Sequence, residues 1–423
     1  MSFSTSSSRR TALGSGRYRW WLLRLALCCL LLIAGAALFN VVADPFGLYR
    51  WVAVEGFNAN KYPATKHART VKTYQVESLR PRGLILGSSR SEIGLDPGHP
   101  AWQPEVRPVF NLAVGGATVR EVRQLFEFAC RCQPPVQVVL GVDLFMFNAR
   151  RSGAEQPPPT TGNGLRRVAE TIFSTSALAA SAETLWTQDP IKHPGYLPNG
   201  QIVWSYDLAK VRRYGLHQAF VRNVRKYYAN HYFPPPHHSF SLAATAGQTS
   251  PLEELSRILE LAHRYDVDLR LFISPVHAWQ LLAIDAAGLW PSFEAWKSEL
   301  VMRLEKDRQA HPDRRAFPLW DFSGFNAVTT EAIPPPGDTT TLMQYYWESS
   351  HYRKEAGDLV LSRVLGSDAV QAGFGVQLDP ANIEPHLASL REGLAAYRRQ
   401  HPDAVAEIKR VKAEFPYLEE NAR

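Results

Sequence analysis

A serine and a histidine that lie far apart in this sequence have neighbouring residues of the kind that covalent catalysis requires. Ser89 ends the segment 83–89, GLILGSS, a short aliphatic run closed by a glycine. Such a run predicts a buried strand, and open α/β sheets bind their ligands where strands end. A serine hydroxyl attacks a carbonyl once a base removes its proton. His351 is the candidate base, because Glu348 stands three residues before it and is suited to orienting an imidazole.

Ser89 also fits an ordinary structural role. Glu92 follows it by three residues, and Ser-x-x-Glu is the capping box that begins many helices. The two roles are compatible, since a residue at a helix N-terminus lies at the positive end of the helix dipole. The sequence leaves both interpretations open.

Two further segments are predicted to be strands that end in turns. Residues 109–114 lead into a glycine pair that includes Gly116, and Thr118 begins a predicted helix through a second capping box with Glu121. Residues 136–140 predict a third strand, which ends shortly before Asp143. The turns after these strands are further candidates for site residues.

The order of these blocks resembles that of the SGNH, or GDSL-like, hydrolase superfamily, over roughly residues 80 to 365 with a large insertion. Members carry a serine in a Gly-Asp-Ser turn, a glycine in a second loop, an asparagine in Gly-x-Asn and a late Asp-x-x-His. The resemblance implies that Ser89 is the nucleophile, Gly116 the oxyanion glycine and His351 the base. It also implies a three-layer α/β/α domain with a mainly parallel sheet. Membrane-anchored envelope proteins that handle acyl groups are the most similar type.

Two positions depart from the family pattern. Asp143 stands where the family has asparagine, and an ionised carboxylate repels an oxyanion, so Asp143 is expected to serve only if burial keeps it protonated. Glu348 stands where the family has aspartate and is one methylene longer. Asp321, at the end of the predicted strand 317–321, is a second and lower-ranked candidate for orienting the imidazole.

His277 follows a further predicted strand, 269–273, and is expected at the same edge of the sheet as Ser89. It is assigned either to substrate binding or to a structural hydrogen bond. The histidines and cysteines show no convincing metal-ligand spacing, and the pair His237-His238 follows three prolines in a loop. The sequence therefore predicts no metal and no cofactor.

The N-terminus predicts a membrane anchor. Residues 25–43 carry no charge, five arginines precede them and Asp44 follows them. By the positive-inside rule, residues 1–18 are expected in the cytoplasm, 19–43 across the membrane and the remainder outside. In a bacterium this is a single-pass protein of the inner membrane with a periplasmic domain. A cleaved signal peptide is the alternative, because Ala34-Gly35-Ala36 offers small residues after an apolar core.

The exported part is divided into an α/β domain over 44–370, an insertion at about 150–249 and a helical tail over 371–423. The insertion opens with Pro157-Pro158-Pro159 and continues with a helix expected over about 165–186. Its basic and aromatic stretch predicts either a sugar-binding face or a solvated amphipathic helix. The residues of that stretch are Tyr206, Arg212, Arg213, Tyr214, Arg222, Arg225, Tyr227 and Tyr228.

Composition agrees with a folded exported enzyme. Of 423 residues, 45% are hydrophobic and 21% charged, which suffices for a large core, and the net charge of +7 partly reflects the arginines of the leader. Across a membrane, nucleic acid is not expected as a partner. The expected function is transfer or hydrolysis of a short acyl group, such as O-acetyl, on an envelope polysaccharide or lipid. The alternative is a non-catalytic relative that binds glycan or partners a membrane-bound acyltransferase.

Overall fold

The core of the protein is a six-stranded sheet with the strand order β2-β1-β3-β4-β5-β6. The computed structural model describes residues 12–151, 164–244, 249–367 and 373–417. The strands are β1 (Gly83–Leu86), β2 (Val109–Asn111), β3 (Gln137–Val142), β4 (Asp268–Ile273), β5 (Leu319–Asp321) and β6 (Val376–Leu378). The first five strands run parallel, and β6 pairs with β5 in the antiparallel sense. The prediction of a mainly parallel α/β sheet is thus confirmed.

Fifteen α-helices are present in the described part of the chain. They are α1 (Ala12–Ala43), α2 (Tyr62–Lys66), α3 (Ala68–Leu79), α4 (Ser89–Gly94), α5 (Val119–Cys132), α6 (Gly164–Thr171), α7 (Thr175–Trp186), α8 (Leu208–Tyr214), α9 (Leu216–Tyr227), α10 (Pro251–Arg264), α11 (Ala278–Ala286), α12 (Trp290–Ala310), α13 (Lys354–Leu365), α14 (Ile383–Gln400) and α15 (Pro402–Ala413).

The centre of the sheet is apolar on both faces. Every residue of β1 and β3 is buried, as expected for parallel strands covered by helices. In the register, Leu84 of β1 lies between Phe110 of β2 and Val138 of β3. Since these strands run in one direction, the segments that follow them all begin at the same edge of the sheet.

The apolar helix α1 extends away from the domain, but its last turn is part of the folded core. Residues Arg17–Ala43 are long and apolar enough to cross a membrane. Asn40 donates from Nδ2 to the carbonyl of Ile172 at 2.8 Å and accepts from Ser181 Oγ at 2.8 Å. Lys61 Nζ donates to the carbonyl of Ala43 at 3.0 Å. The arginines at positions 9 and 10, used above to orient the span, lie outside the described residues.

The insertion and the tail differ in detail from their predictions. The helix expected over 165–186 is interrupted, because Ser174 accepts from the N–H of Ala177 at 3.0 Å and so caps a new helix, α7. The proline run at 157–159 lies outside the described residues. The tail was expected to be purely helical, but Val376–Leu378 adds the edge strand β6 before α14 and α15.

Candidate active site

Ser89 lies in the turn between β1 and α4. The N-cap of α4 is Ser88, whose Oγ accepts from the N–H of Arg90 at 3.3 Å, and Ser89 is the first helical residue. The expected capping box is therefore wrong, and Glu92 instead accepts from Lys72 Nζ at 3.0 Å. Because Ser88 fills the capping role, the hydroxyl of Ser89 is free for another partner.

That partner is His351. The Nε2 of His351 lies 2.7 Å from the Oγ of Ser89, and its Nδ1 is hydrogen-bonded to Oε1 of Glu348. The backbone holds the carboxylate in place, since Oε1 accepts from the N–H of His351 at 3.0 Å and Oε2 from the N–H of Ser350 at 2.8 Å. Three residues that the sequence separates into two distant groups are thus joined in one hydrogen-bonded chain of serine, histidine and glutamate.

The carboxylate of Glu348 is buried yet kept ionised. Burial alone would raise the pKa of Glu348, but the electrostatic interaction and the hydrogen bond with His351, together with the Ser350 N–H, hold that pKa below its ordinary value. An ionised carboxylate on Nδ1 leaves Nε2 as the proton acceptor that faces Ser89. This is the tautomer that a general base requires.

The contact between α4 and α13 fixes the distance between Ser89 and His351. A Cβ added to Gly94 would overlap the ring of Tyr352, and one added to Gly357 would overlap the carbonyl of Gly94. The two helices therefore meet backbone to backbone at their glycines. Since Ser89 begins α4 and His351 shortly precedes α13, this contact keeps the two catalytic candidates in register.

Backbone amides in the turns after β1 and β2 are the candidates for stabilising an oxyanion. Among the described residues, the N–H groups of Ser89, Gly115 and Gly116 donate to no protein oxygen. Gly115 is the nearer glycine, because an added Cβ there would lie 3.9 Å from Cβ of Ser89. Gly116 has a φ of +69° and its carbonyl accepts from Arg151 at 2.8 Å. The loop predicted from Gly116 is therefore in place, with Gly115 closest to the serine.

Asp143 does not take the position of an oxyanion donor. Its Oδ2 accepts from Ser88 Oγ at 2.6 Å, and its Oδ1 accepts from Arg90 Nη1 at 2.7 Å. Burial alone would lower the pKa of Arg90, but the carboxylate of Asp143 outweighs it and raises that pKa. The expectation that Asp143 is a protonated donor is thus corrected, because both of its oxygens accept and its partner is a buried cation.

His277 serves the structure of the fold. It is fully buried, its Nδ1 caps α11 by accepting from the N–H of Trp279 at 3.2 Å, and its Nε2 lies 2.8 Å from the carbonyl of Glu331. Burial lowers the pKa of His277 to about 4, so the ring is neutral at pH 7. The N–H of His277 also donates to the carbonyl of Ser349 at 3.1 Å, which supports the loop that carries His351. Of the two roles considered above, the structural one fits.

Asp321 is likewise remote from the histidine of the site. It pairs with Lys297 and lies 2.8 Å from Nε2 of His386, so of the two candidate carboxylates Glu348 is the one that orients His351. A separate group, formed by His263 on α10, Asp307 on α12 and His311 directly after α12, holds three potential metal ligands within 4.8 Å of one another. Sequence spacing did not reveal it, because His263 is far from the other two residues in sequence.

A cavity of about 540 Å³ opens beside Glu348 and His351. Its other walls come from α8, α9 and the residues that precede α8. Four residues of the basic and aromatic stretch line it: Tyr206, Arg213, Tyr214 and Arg222. Tyr227 and Tyr228 are instead buried in the core, and Arg225 pairs with Glu414 at 2.6 Å.

Comparison with known proteins gives no independent assignment of family or function. No protein-family model matches this chain, and no curated protein matches it. The geometry of Ser89, His351 and Glu348 therefore carries the functional argument.

Two residues of the site gave no signal in the sequence. Arg90 and Lys72 lie in segments that are polar in sequence, yet both side chains are buried, and each pairs with a carboxylate on another element, Asp143 and Glu92 respectively. A charged residue among polar neighbours is ordinarily exposed, so the local sequence does not indicate such a buried pair.

Proposed function

We propose that this protein is a serine-dependent acyltransferase or esterase with an SGNH-like three-layer domain. The observation that carries the proposal is the chain from Ser89 Oγ to His351 Nε2, 2.7 Å long, continued by the hydrogen bond from His351 to Glu348. A serine hydroxyl at this distance from an oriented imidazole is the arrangement of an activated nucleophile.

The reaction proceeds in two halves. Ser89 Oγ attacks the acyl carbonyl while His351 Nε2 takes its proton, and the oxyanion is bound by the amides of Ser89, Gly115 and Gly116. His351 then gives the proton to the leaving oxygen, which departs as an alcohol and leaves an acyl-serine. In the second half a hydroxyl or water attacks the acyl-serine, and the proton returns through His351 to Ser89.

The proposed setting is the outer face of a cytoplasmic membrane, where the acyl acceptor is an envelope glycan or lipid. The hydrogen bonds that join Asn40 and Ala43 to the domain support an anchor that stays attached. Exposed apolar side chains surround the same end of α1. Trp51 is 76% exposed and Phe173 is 59% exposed, as expected for residues at a membrane surface.

One observation favours a second candidate, a non-catalytic glycan-binding or scaffold protein that partners a membrane acyltransferase. The position of the family asparagine holds Asp143, which is fully engaged by Ser88 and Arg90 and leaves only backbone amides for the oxyanion. A fold-level resemblance does not establish activity.

A fluorophosphonate probe separates the two candidates. We expect the full-length protein to be labelled, with the adduct mapped by mass spectrometry to Ser89, and His351→Ala to be labelled far more slowly. The Ser88→Ala variant serves as a control for the neighbouring hydroxyl. A protein that stays unlabelled while folded is the binding or scaffold protein.

A further inference from the structure

Three cationic side chains around the cavity beside His351 have no acidic partner. Arg213, Arg222 and Lys226 line the cavity, and in the part of the chain that the structure describes none of them forms an ion pair. By contrast, Arg225 on α9 pairs with Glu414. Lys210 also lines the cavity, and the acidic lining residues are Asp207, which pairs with Lys210, and Glu348, so positive charge is in excess.

The two arginines are held close together by one aromatic ring. The guanidinium carbon of Arg222 lies 4.4 Å from the ring centroid of Tyr214, and that of Arg213 lies 5.0 Å from it. Each cation is attracted to the ring, but the two exposed guanidinium groups repel each other, and an anion bound between them would relieve that repulsion. Arginine forks match carboxylate and phosphate groups, which they bind with two parallel hydrogen bonds.

The remaining walls of the cavity favour a sugar over a lipid tail. Among the residues that the structure describes, the aliphatic ones that line it are Ala209 and Ala219, which are too small to hold a fatty acyl chain. Tyr206 provides an aromatic ring of the kind that stacks on the apolar face of a sugar, whereas the ring of Tyr214 is engaged by the two arginines. The ring of Tyr206 is centred 6.3 Å from that of His351, so a sugar placed there lies next to the catalytic base.

We propose that this cavity binds an anionic saccharide, through a carboxylate or phosphate group held by Arg213, Arg222 and Lys226. This inference rests on the proposed function, in which the saccharide presents its hydroxyl to the acyl-serine. Because the cations lie on α8 and α9, the helical insertion supplies acceptor recognition, and the sheet supplies the catalytic serine.

Binding is measured on the full-length Ser89→Ala protein in detergent micelles, so that the result does not depend on turnover. The probe is a tetramer of galacturonic acid, and the neutral control is the corresponding galactose tetramer. We expect the uronate to bind and the neutral sugar to bind at least tenfold more weakly, with the difference shrinking at high salt. Glucose 6-phosphate competes if the site prefers phosphate to carboxylate.

The decisive variant is Arg213→Gln with Arg222→Gln, which we expect to weaken uronate binding at least tenfold. Arg212→Gln is the matched control, because Arg212 is exposed on the same helix but does not line the cavity. Equal effects of the two variants, or equal binding of both tetramers, would overturn the inference. If the protein binds the uronate but never forms an acyl-serine, the saccharide site stands and only the proposed catalysis is wrong.

Discussion

The Oγ of Ser89 and the Nε2 of His351 lie 2.7 Å apart, although 262 positions of sequence separate them. The sheet delivers Ser89 at the end of β1, and the loop before α13 delivers His351. Two features keep them together: the glycine contact between α4 and α13, and the support of the His351 loop by His277. The predicted consequences concern the chemistry of this pair and the buried groups that hold it.

Removal of the nucleophile or of the base is expected to abolish ester hydrolysis without unfolding the protein. Ser89→Ala and His351→Ala should each lower kcat for an aryl acetate by a factor of about 10³ or more, because the residues act as a unit. The double variant should be no slower than either single variant. Rates that multiply in the double variant would show that the two residues do not share one step.

Glu348→Gln tests the orienting carboxylate. The amide leaves the backbone contacts largely in place but does not hold the imidazole in the tautomer that faces Ser89, so kcat should fall by about 10³ to 10⁴. Glu348→Asp, which restores the carboxylate of the family pattern with a shorter reach, should retain more activity than Glu348→Gln. Equal values of kcat for the parent protein, Glu348→Gln and Glu348→Asp would mean that His351 acts as a base without Glu348.

Asp143→Asn tests the buried ion pair. The change leaves Arg90 charged and without its carboxylate in the core, which should lower the free energy of unfolding by about 3 to 5 kcal/mol. Replacing both partners with apolar residues, Arg90→Met with Asp143→Leu, should recover most of that loss. As a control, Glu305→Gln removes an ion pair of an exposed arginine and should change stability little.

The same variant distinguishes the ion pair from an oxyanion donor. If Asp143 donated a hydrogen bond to the oxyanion, an amide would do so at least as well, and turnover by Asp143→Asn would be retained or increased. The contacts of Asp143 with Ser88 and Arg90 predict the opposite, a less stable and slower enzyme. Chemical denaturation and kcat, measured on the same preparation, give the two readouts.

The sequence was a good guide wherever burial is continuous along the chain. The aliphatic runs of β1 and β3 marked the centre of the sheet, because parallel strands covered on both faces are mostly apolar. The spacing of Glu348 and His351 marked the base, since both residues belong to one short loop. Both features are determined by residues that are close together in the sequence, so the sequence alone reveals them.

Features that depend on tertiary contacts were missed or misplaced. Whether Ser88 or Ser89 caps α4 depends on which of the two hydroxyls has a tertiary partner. Asp143 and Arg90 form their ion pair across 53 positions of sequence. The edge strand β6 is formed by three residues, two of them exposed, and is defined by its pairing with β5. No local pattern specifies such a partner.

The surface around the end of α1 is expected to contact lipid. Asn58 Nδ2 donates to the carbonyl of Val42 at 2.7 Å, which holds the exposed loop of Trp51 beside the span. Nitroxide labels on Trp51→Cys and Phe173→Cys, in nanodiscs and in a background without native cysteines, should be more accessible to oxygen than to a nickel chelate. Met302→Cys, also an exposed apolar position but on α12, should show the reverse. Identical accessibility at all three positions would place the domain away from the bilayer.

Acid should destabilise the fold through His277. Its pKa is about 4 in the folded protein, against a usual 6.5, so the unfolded chain binds the proton more readily. The contribution of His277 to the free energy of unfolding is therefore fully present above pH 6.5. It is lost as the pH falls towards 4, by up to about 3 kcal/mol in all. The pKa values of His231 and His99 are also lowered by burial, so part of the acid sensitivity comes from them.

His277→Asn isolates the contribution of His277. Asparagine is a good N-cap, so α11 should still form, although the loss of the bond to the carbonyl of Glu331 lowers stability at pH 7. Between pH 6.5 and 4, the free energy of unfolding should therefore fall less steeply in His277→Asn than in the parent protein. His237→Asn is the control, because His237 lies at an exposed loop position, and it should keep the slope of the parent. Urea denaturation at pH 7.0, 5.5 and 4.5 compares the three proteins. Parallel curves for all three would mean that His277 has the same pKa in the folded and unfolded states, and that the buried position assigned to its ring is wrong.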